Sequence, residues 1–313
     1  LFKIKKKIKK TTDEILDFNP DILFSVDSPD FTLRVADNVK KKKKNIQTIH
    51  FVAPQVWIWR YGRIKKIKKF INHLLLLFNF EKNIFDKENI KSTFVGHPLL
   101  DPEKNSSHDL ANSDYNDKKI ISLFPGSRTS EIKVLMPILI DFITLAQRND
   151  DKYSFVFHST AENERYVNSF IEKNTLKQSE VISDQYLKKS ILYKSVFAIV
   201  KSGTVSLEVS NAQIPSLIVY KMGFVNFFII KLLVNTNYAN IFNIISKKEI
   251  IPELLQSNCN AVKIFKVFNA YTNNPSLAHN QLLSCNKILK EIKNKNSSIK
   301  TVSNILNKSL SWL

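Results

Sequence analysis

Short apolar runs, each followed by a segment of helical spacing, recur along most of this chain. That alternation constrains the fold more than any single motif. A helix inserted after each strand carries the chain back over the sheet, so the strands pair in parallel and both faces are covered. Residues 21–26, 46–51, 74–78 and 93–95 read as strands, with helices over 31–44, 60–71 and 81–88 between them. From Asp101 to Lys118 the chain changes to Asn, Ser, Asp and Pro with almost no apolar residue, which marks a linker. A second unit follows, with strands over 120–124, 153–158, 196–200 and 216–220. From Asn260 to Trp312 the pattern is helical and polar. The expected organisation is two α/β domains, residues 1–115 and 116–313, with a cleft between two parallel sheets. Ligands of such sheets bind beyond the carboxyl ends of the strands.

Two strand ends carry the chemistry of an anion site. Leu123-Phe124-Pro125-Gly126-Ser127-Arg128 joins an apolar strand to a helix running from Glu131 to Gln147. Gly126 permits a tight backbone turn, so that N–H groups point at a phosphate, and Arg128 adds a planar cationic fork. Taken alone, the turn serves equally as a plain connection. Lys201-Ser202-Gly203-Thr204 repeats the arrangement after the strand ending at Val200, with Glu208 a helical turn further on. Ser202, Gly203 and Thr204 offer backbone and hydroxyl donors to a diphosphate, and Glu208 can accept from ribose hydroxyls. An ordinary helix N-cap is the alternative. Two such turns in one domain favour a sugar nucleotide or dinucleotide.

Other candidates divide between function and packing. Asp27 follows a buried strand and can act as a general base, or it can cap a turn; Asp30 reads as the cap of the following helix. Trp57 and Trp59 share one loop and can line a sugar or acyl pocket or plug the core. Arg60, Arg63, Lys65, Lys66, Lys68 and Lys69 make a basic helix. It can meet acidic headgroups, at about 1 kcal/mol per residue near the surface, or simply face solvent. His97 sits at a strand end, where a lone His is usually structural. The segment Phe224–Val234 is apolar almost all round, as in a buried helix or, second, a membrane-surface contact.

Composition removes several classes. The formal charge is +19, with Lys+Arg 47 against Asp+Glu 28, which invites an anionic partner. A bias toward Lys, Asn and Ile accounts for part of it. The charge is spread along the chain and no nucleic-acid motif accompanies it, so no nucleic acid is expected as a partner. No Walker A pattern, His-Glu-x-x-His or nucleophile elbow occurs, and neither a metal site nor a cofactor is expected. Cys259 and Cys285 lack ligand spacing and read as packed, reduced thiols of a cytoplasmic protein. The apolar runs at 73–80 and 224–234 are too short to span a bilayer.

Taken together, these segments resemble the lipid-A-disaccharide synthases, bacterial glycosyltransferases of the GT-B type. The resemblance rests on Pro20-Asp21-Ile22 through Asp27-Ser28-Pro29-Asp30-Phe31, and on Thr48-Ile49-His50 with Pro54-Gln55-Val56-Trp57-Ile58-Trp59-Arg60. It continues in the same order through Phe80-Glu81-Lys82, Gly96-His97-Pro98, Pro125-Gly126-Ser127-Arg128, Ser202-Gly203-Thr204 with Glu208, and Glu253-Leu254-Leu255-Gln256. It weakens after Asn260. It implies two Rossmann-like domains and inverting transfer from UDP-2,3-diacylglucosamine to 2,3-diacylglucosamine 1-phosphate (lipid X), in lipid A biosynthesis. It implies an enzyme at the cytoplasmic face of the inner membrane and allows a homodimer through the C-terminal region. Asp27 and Arg128 match the family's essential aspartate and arginine. Gly126, Ser127, Arg128, Ser202, Gly203, Thr204, Glu208 and Asn243 become the expected UDP-binding residues. The family's opening strand and Gly-Glu-x-Ser-Gly-Asp loop have no counterpart here, so the N-terminal domain is expected to be incomplete. An inactive fragment that still binds UDP is the alternative. Asn243 is kept from the family's uridine-side stretch, but its Gly and Arg are replaced by Lys247 and Lys248.

Overall fold

The structure is a computed structural model describing residues 2–56, 62–101, 118–223 and 236–310. The expectations for Trp57, Trp59 and Arg60, for most of the linker, for Phe224–Val234 and for Trp312 lie outside the described residues. The chain divides into two compact units. One comprises Leu1–Pro102, Leu233–Asn235 and Glu291–Leu313, the other Glu103–Leu232 and Thr236–Lys290.

The first unit holds a parallel sheet in the order β1-β2-β3-β4, made of Ile22–Val26, Gln47–Phe51, His73–Leu76 and Ser92–Phe94. Helices α1 (Phe2–Phe18), α2 (Pro29–Lys42), α3 (Arg63–Ile67) and α4 (Asn79–Asp86) accompany it. Side chains alternate across a strand, so β3 serves two cores at once. Leu74 and Leu76 join Leu33, Ala36, Ile64, Ile67 and Phe85 on one face. Leu75 points the other way, with Ile49 and Val95, onto Val302, Ile305 and Leu306 of α12 (Ser298–Leu310). That apolar stripe explains why the C-terminal helix belongs to the first unit, whereas the sequence reading keeps 116–313 together. The carboxylate of Asp101 anchors α12 as well, accepting from the Ser298 N–H at 2.8 Å and the Ser298 hydroxyl at 2.7 Å. The Lys run closing α2 is tied down rather than merely solvated: Lys40 Nζ donates to the Ile46 carbonyl at 2.6 Å and Lys43 Nζ to that of Pro20 at 2.6 Å.

The second unit has six parallel strands in the order β10-β9-β8-β5-β6-β7. They are β5 (Lys119–Phe124), β6 (Tyr153–His158), β7 (Ser179–Ile182), β8 (Ser195–Lys201), β9 (Ser216–Tyr220) and β10 (Glu253–Leu255). Chain order runs outward from β5 to β7 on one side and from β8 to β10 on the other, which is the doubly wound Rossmann order. Among the described residues the helices of this unit are α5 (Thr129–Asn149), α6 (Glu164–Lys173), α7 (Gln185–Lys194), α8 (Val205–Asn211), α9 (Ile241–Ser246), α10 (Ala261–Asn273) and α11 (Pro275–Ile292). Ile121, Leu123, Phe155, Phe157, Phe197 and Ile199 pack under α5 and α10, while Ile120, Val156 and Ile182 face Ile191 of α7. Burial on both faces is why these strands read as continuous apolar runs. Phe268 of α10 fixes the larger core, edge-on to Phe142 and Tyr153 at centroid distances of 5.5 and 5.1 Å.

Candidate functional site

The order of the second sheet reverses between β5 and β8, and the turns at Pro125–Arg128 and Ser202–Thr204 leave the carboxyl ends of those two strands. A pocket of about 290 Å³ opens there. Gly126, Ser127, Ser202, Gly203, Thr204 and Glu208 line it, so six of the residues expected to bind a nucleotide come together. The backbone N–H groups of Ser127, Gly203 and Thr204 donate to no group among the described residues. These donors, beside the start of α5, suit phosphate oxygens.

Gly126 holds its turn at φ +112°, a conformation closed to most side chains. An added Cβ would stand 2.6 Å from Oε2 of Glu131. Glu131 occupies the third position of α5, where its carboxylate accepts from the Arg128 N–H at 3.4 Å, the one half of a capping box that an arginine N-cap allows. It also accepts from Lys201 Nζ at 2.8 Å, each side chain being 18% exposed. Burial raises the Glu131 carboxyl, but the hydrogen bond and charge of Lys201, with help from Arg128, bring it below the ordinary range. Lys201 is thereby a fixed cation at the end of β8. Its ammonium lies 5.3 Å from the Tyr220 ring centroid. The spacing Arg128-x-x-Glu131 is the sequence signal that could have singled out Glu131.

On the other wall, burial raises the Glu208 carboxyl, opposed by Lys188 and Lys189. Burial lowers the Lys188 ammonium, opposed by Glu208 and Asp184. Lys188 comes from α7 and donates to the Ser159 carbonyl at 3.0 Å; no motif marks it in the sequence. His158 ends β6 and lines the same pocket.

Two expected nucleotide residues stand elsewhere. Arg128 precedes α5 beside the pocket, with its side chain 78% exposed and its guanidinium 3.4 Å from Glu131. An ion pair so open to water adds little stability, so the fork is available to a ligand. Asn243 is fully buried. It donates to the Ile251 carbonyl and to Glu253, both at 2.7 Å, and accepts from the Ile250 and Ile251 N–H groups at 2.7 and 2.9 Å. Glu253 in turn accepts from the Ala239 and Asn240 N–H groups at 2.7 and 2.9 Å, and Ser202 Oγ donates to the Ala239 carbonyl at 2.7 Å. Asn243 therefore supports the Ser202 turn through a chain of hydrogen bonds and does not line the pocket.

In the first unit, Asp27 and Ser28 follow β1 with φ +50° and +46°. Consecutive non-glycine residues in the left-handed region are unusual and mark a constrained turn. The Asp27 N–H extends the sheet ladder to the Phe51 carbonyl at 2.9 Å, and Thr32 Oγ1 donates to the Asp27 carbonyl at 2.6 Å. The backbone is thus held on both sides while the residue is exposed. Beneath it His50 is fully buried, its Nδ1 2.8 Å from Ser25 Oγ. Burial pulls the His50 imidazole down to about 4, against the pull of the Asp27 charge and a backbone contact at Val52. Asp30 lies in the first turn of α2, near the helix-capping place expected of it. His97 is structural: its Nδ1 accepts from the Leu99 N–H at 3.2 Å as a short 3₁₀ turn begins. No helix among the described residues is long and apolar enough to cross a membrane.

Comparison with known proteins agrees with this architecture. A family model described as lipid-A-disaccharide synthetase matches residues 1–305. A lipid-A-disaccharide synthase of Rickettsia bellii is 35% identical over 297 residues, covering 93% of this chain and 77% of the relative. That of Persephonella marina is 37% identical over 285 residues, covering 88% and 74%. The solved S. aureus MnaA–UDP structure superposes with a TM-score of 0.68 at 12% identity, over 99% of this chain and 81% of that one. At that identity the likeness concerns the fold alone, which is of the GT-B type.

Proposed function

The chain belongs to the lipid-A-disaccharide synthase family, and we propose that the β5/β8 pocket holds the UDP of its sugar donor. The chain is a glycosyltransferase of lipid A biosynthesis. The reaction transfers 2,3-diacylglucosamine from UDP-2,3-diacylglucosamine to the 6-hydroxyl of 2,3-diacylglucosamine 1-phosphate. The products are the β-1,6 disaccharide 1-phosphate and UDP. The observation that carries the UDP assignment is the pair of strand–turn–helix connections at one topological switch point, lining one pocket with N–H donors that have no acceptor among the described residues.

The donor bond is α and the product bond is β, so a single displacement suffices. One base must take the proton of the acceptor hydroxyl as the new bond forms, and we assign that role to Asp27. Its exposed position on a rigid turn leaves the carboxylate open to an acceptor. As the anomeric bond breaks, negative charge grows on the β-phosphate of UDP. We assign its stabilisation to Arg128, the N–H groups of the two turns and the fixed ammonium of Lys201. Glu208 is suited to the ribose hydroxyls. Both substrates carry acyl chains, which brings the reaction to a membrane surface; we assign the cytoplasmic face of the inner membrane.

The test is disaccharide formation in detergent micelles by this chain and by Asp27→Ala and Arg128→Ala. We expect product from the parent chain and a fall of about a hundredfold or more from each variant. Undiminished turnover in Asp27→Ala would remove the base assignment, and the same result in Arg128→Ala would remove the leaving-group assignment.

A further inference from the structure

Within the pocket there is one ring nitrogen whose chemistry is dictated by hydrogen atoms several residues away. His158 is 5% exposed, and the Phe124 ring stacks on it at a centroid distance of 4.2 Å and an angle of 20°. Its Nε2 lies 2.7 Å from Ser122 Oγ, and Ser122 Oγ lies 2.7 Å from Ser195 Oγ. Ser195 Oγ donates to the Ile191 carbonyl at 2.9 Å. Both serines are buried.

The direction of each bond follows from counting hydrogens. A carbonyl only accepts, so the single hydroxyl hydrogen of Ser195 goes to Ile191. That carbonyl is in the last turn of α7, and the N–H of Ser195 goes to the Leu192 carbonyl instead. Ser195 is then left to accept, so Ser122 donates to it and uses its own hydrogen. Ser122 can therefore only accept from the imidazole, and Nε2 carries the proton. Nδ1 is left with a lone pair. It has no partner among the described residues and is not among the buried polar atoms sealed from solvent, and the ring lines the pocket. Burial, with Lys188 nearby, pulls the imidazole down to about 3, so the ring stays neutral and Nδ1 stays an acceptor near neutral pH.

We propose that His158 is a specificity-determining residue of the nucleotide pocket, its Nδ1 accepting a hydrogen bond from an O–H or N–H of the nucleoside. The proposal rests on the assignment of the pocket to UDP. Ionised phosphate oxygens have no hydrogen to give, so the lone pair turns the diphosphate away from β6. The nucleoside then lies toward His158, and the diphosphate toward the turns at Gly126 and Ser202. The chemistry selected is a donor: a ribose hydroxyl, or N3–H of uracil. Cytosine presents a lone pair at N3 and fails the same test.

Two measurements decide the matter. Nitrogen-15 NMR of histidine-labelled parent chain reads the tautomer directly, free and with saturating UDP. We expect a protonated Nε2 and a bare Nδ1 in the free protein, with the Nδ1 resonance moving toward the hydrogen-bonded range when UDP binds. Calorimetry then compares UDP, 2′-deoxy-UDP, 3′-deoxy-UDP and CDP on the parent chain and on His158→Phe. The variant should lose about tenfold for UDP and nothing for the analogue that lacks the donor. A deoxy analogue behaving so identifies a ribose hydroxyl as the donor, and CDP behaving so identifies uracil N3–H. A bare Nε2, an Nδ1 resonance unmoved by bound UDP, or an equal loss for all four ligands overturns the proposal. Bound UDP with an unmoved Nδ1 leaves the pocket assignment standing. Absence of UDP binding by the parent chain takes down both. If His158→Phe does not fold, the NMR result alone decides.

Discussion

Replacing Gly126 with alanine perturbs the β5–α5 turn in two separable ways. At φ +112° an alanine is strained whatever the space around it, a cost of about 1–3 kcal/mol. Its Cβ would also stand 2.6 Å from Oε2 and 3.0 Å from Cβ of Glu131. The carboxylate must then move and give up its 2.8 Å bond to Lys201, a charged pair well shielded from water. That loss is roughly 1–3 kcal/mol. The combined penalty is on the order of 2–6 kcal/mol, which lowers Tm by roughly 4–24 °C for a unit of this size. Differential scanning calorimetry measures the shift, and titration calorimetry should show UDP binding weakened at least tenfold, because Lys201 loses its anchor. Making the same change in a Glu131→Ala background separates the parts: the collision with the carboxylate and its ion pair are gone, while the backbone strain and the 3.0 Å contact with Cβ of residue 131 remain. A Gly126→Ala protein with the parent Tm and UDP affinity would refute the reasoning, and an equal penalty in both backgrounds would refute the collision.

Two further outcomes follow from buried groups. Asn243→Ala strips partners from the Ile250 and Ile251 N–H groups, the Ile251 carbonyl and Glu253, all in or beside the core. It should destabilise by about 2–4 kcal/mol, read as a fall in Tm; an unchanged Tm would show that water replaces the amide at no cost. His50 and His158 are held neutral by burial, with folded-state values pulled from 6.5 to about 4 and about 3. The unfolded chain therefore binds protons that the native state does not, and stability falls as pH drops from 6.5 until both rings protonate in the folded protein. For His50 the full loss is about 3 kcal/mol. Urea denaturation between pH 7 and pH 4 should show the decline, and His50→Gln should flatten part of it.

Much of the fold was legible because its strands are buried on both faces. Ile120–Phe124, Tyr153–His158 and Ser216–Tyr220 stand out as apolar runs and occur as strands β5, β6 and β9. Strand β7 did not stand out. It is an edge strand of four residues, and Ser179 and Glu180 interrupt its apolar signal. The attachment of α12 to the first unit was hidden for a different reason, since an amphipathic stripe says that a helix packs but not on what. In the pocket, glycine and small hydroxyl residues after a strand announced the two turns. The charged and imidazole groups facing those turns come from β6, α5 and α7, distant in sequence, and only the sheet order brings them together. Asn243 shows the converse: a residue kept from a motif on the nucleotide side here supports Glu253 and, through it, the Ser202 turn.

The measurement closest to the central claim is a crystal structure of this chain with UDP. The account predicts density at the β5/β8 switch point, with the diphosphate against Gly126–Ser127 and Ser202–Thr204 and the nucleoside toward Glu208 and His158. UDP bound at any other place, with this pocket left to solvent, would contradict it.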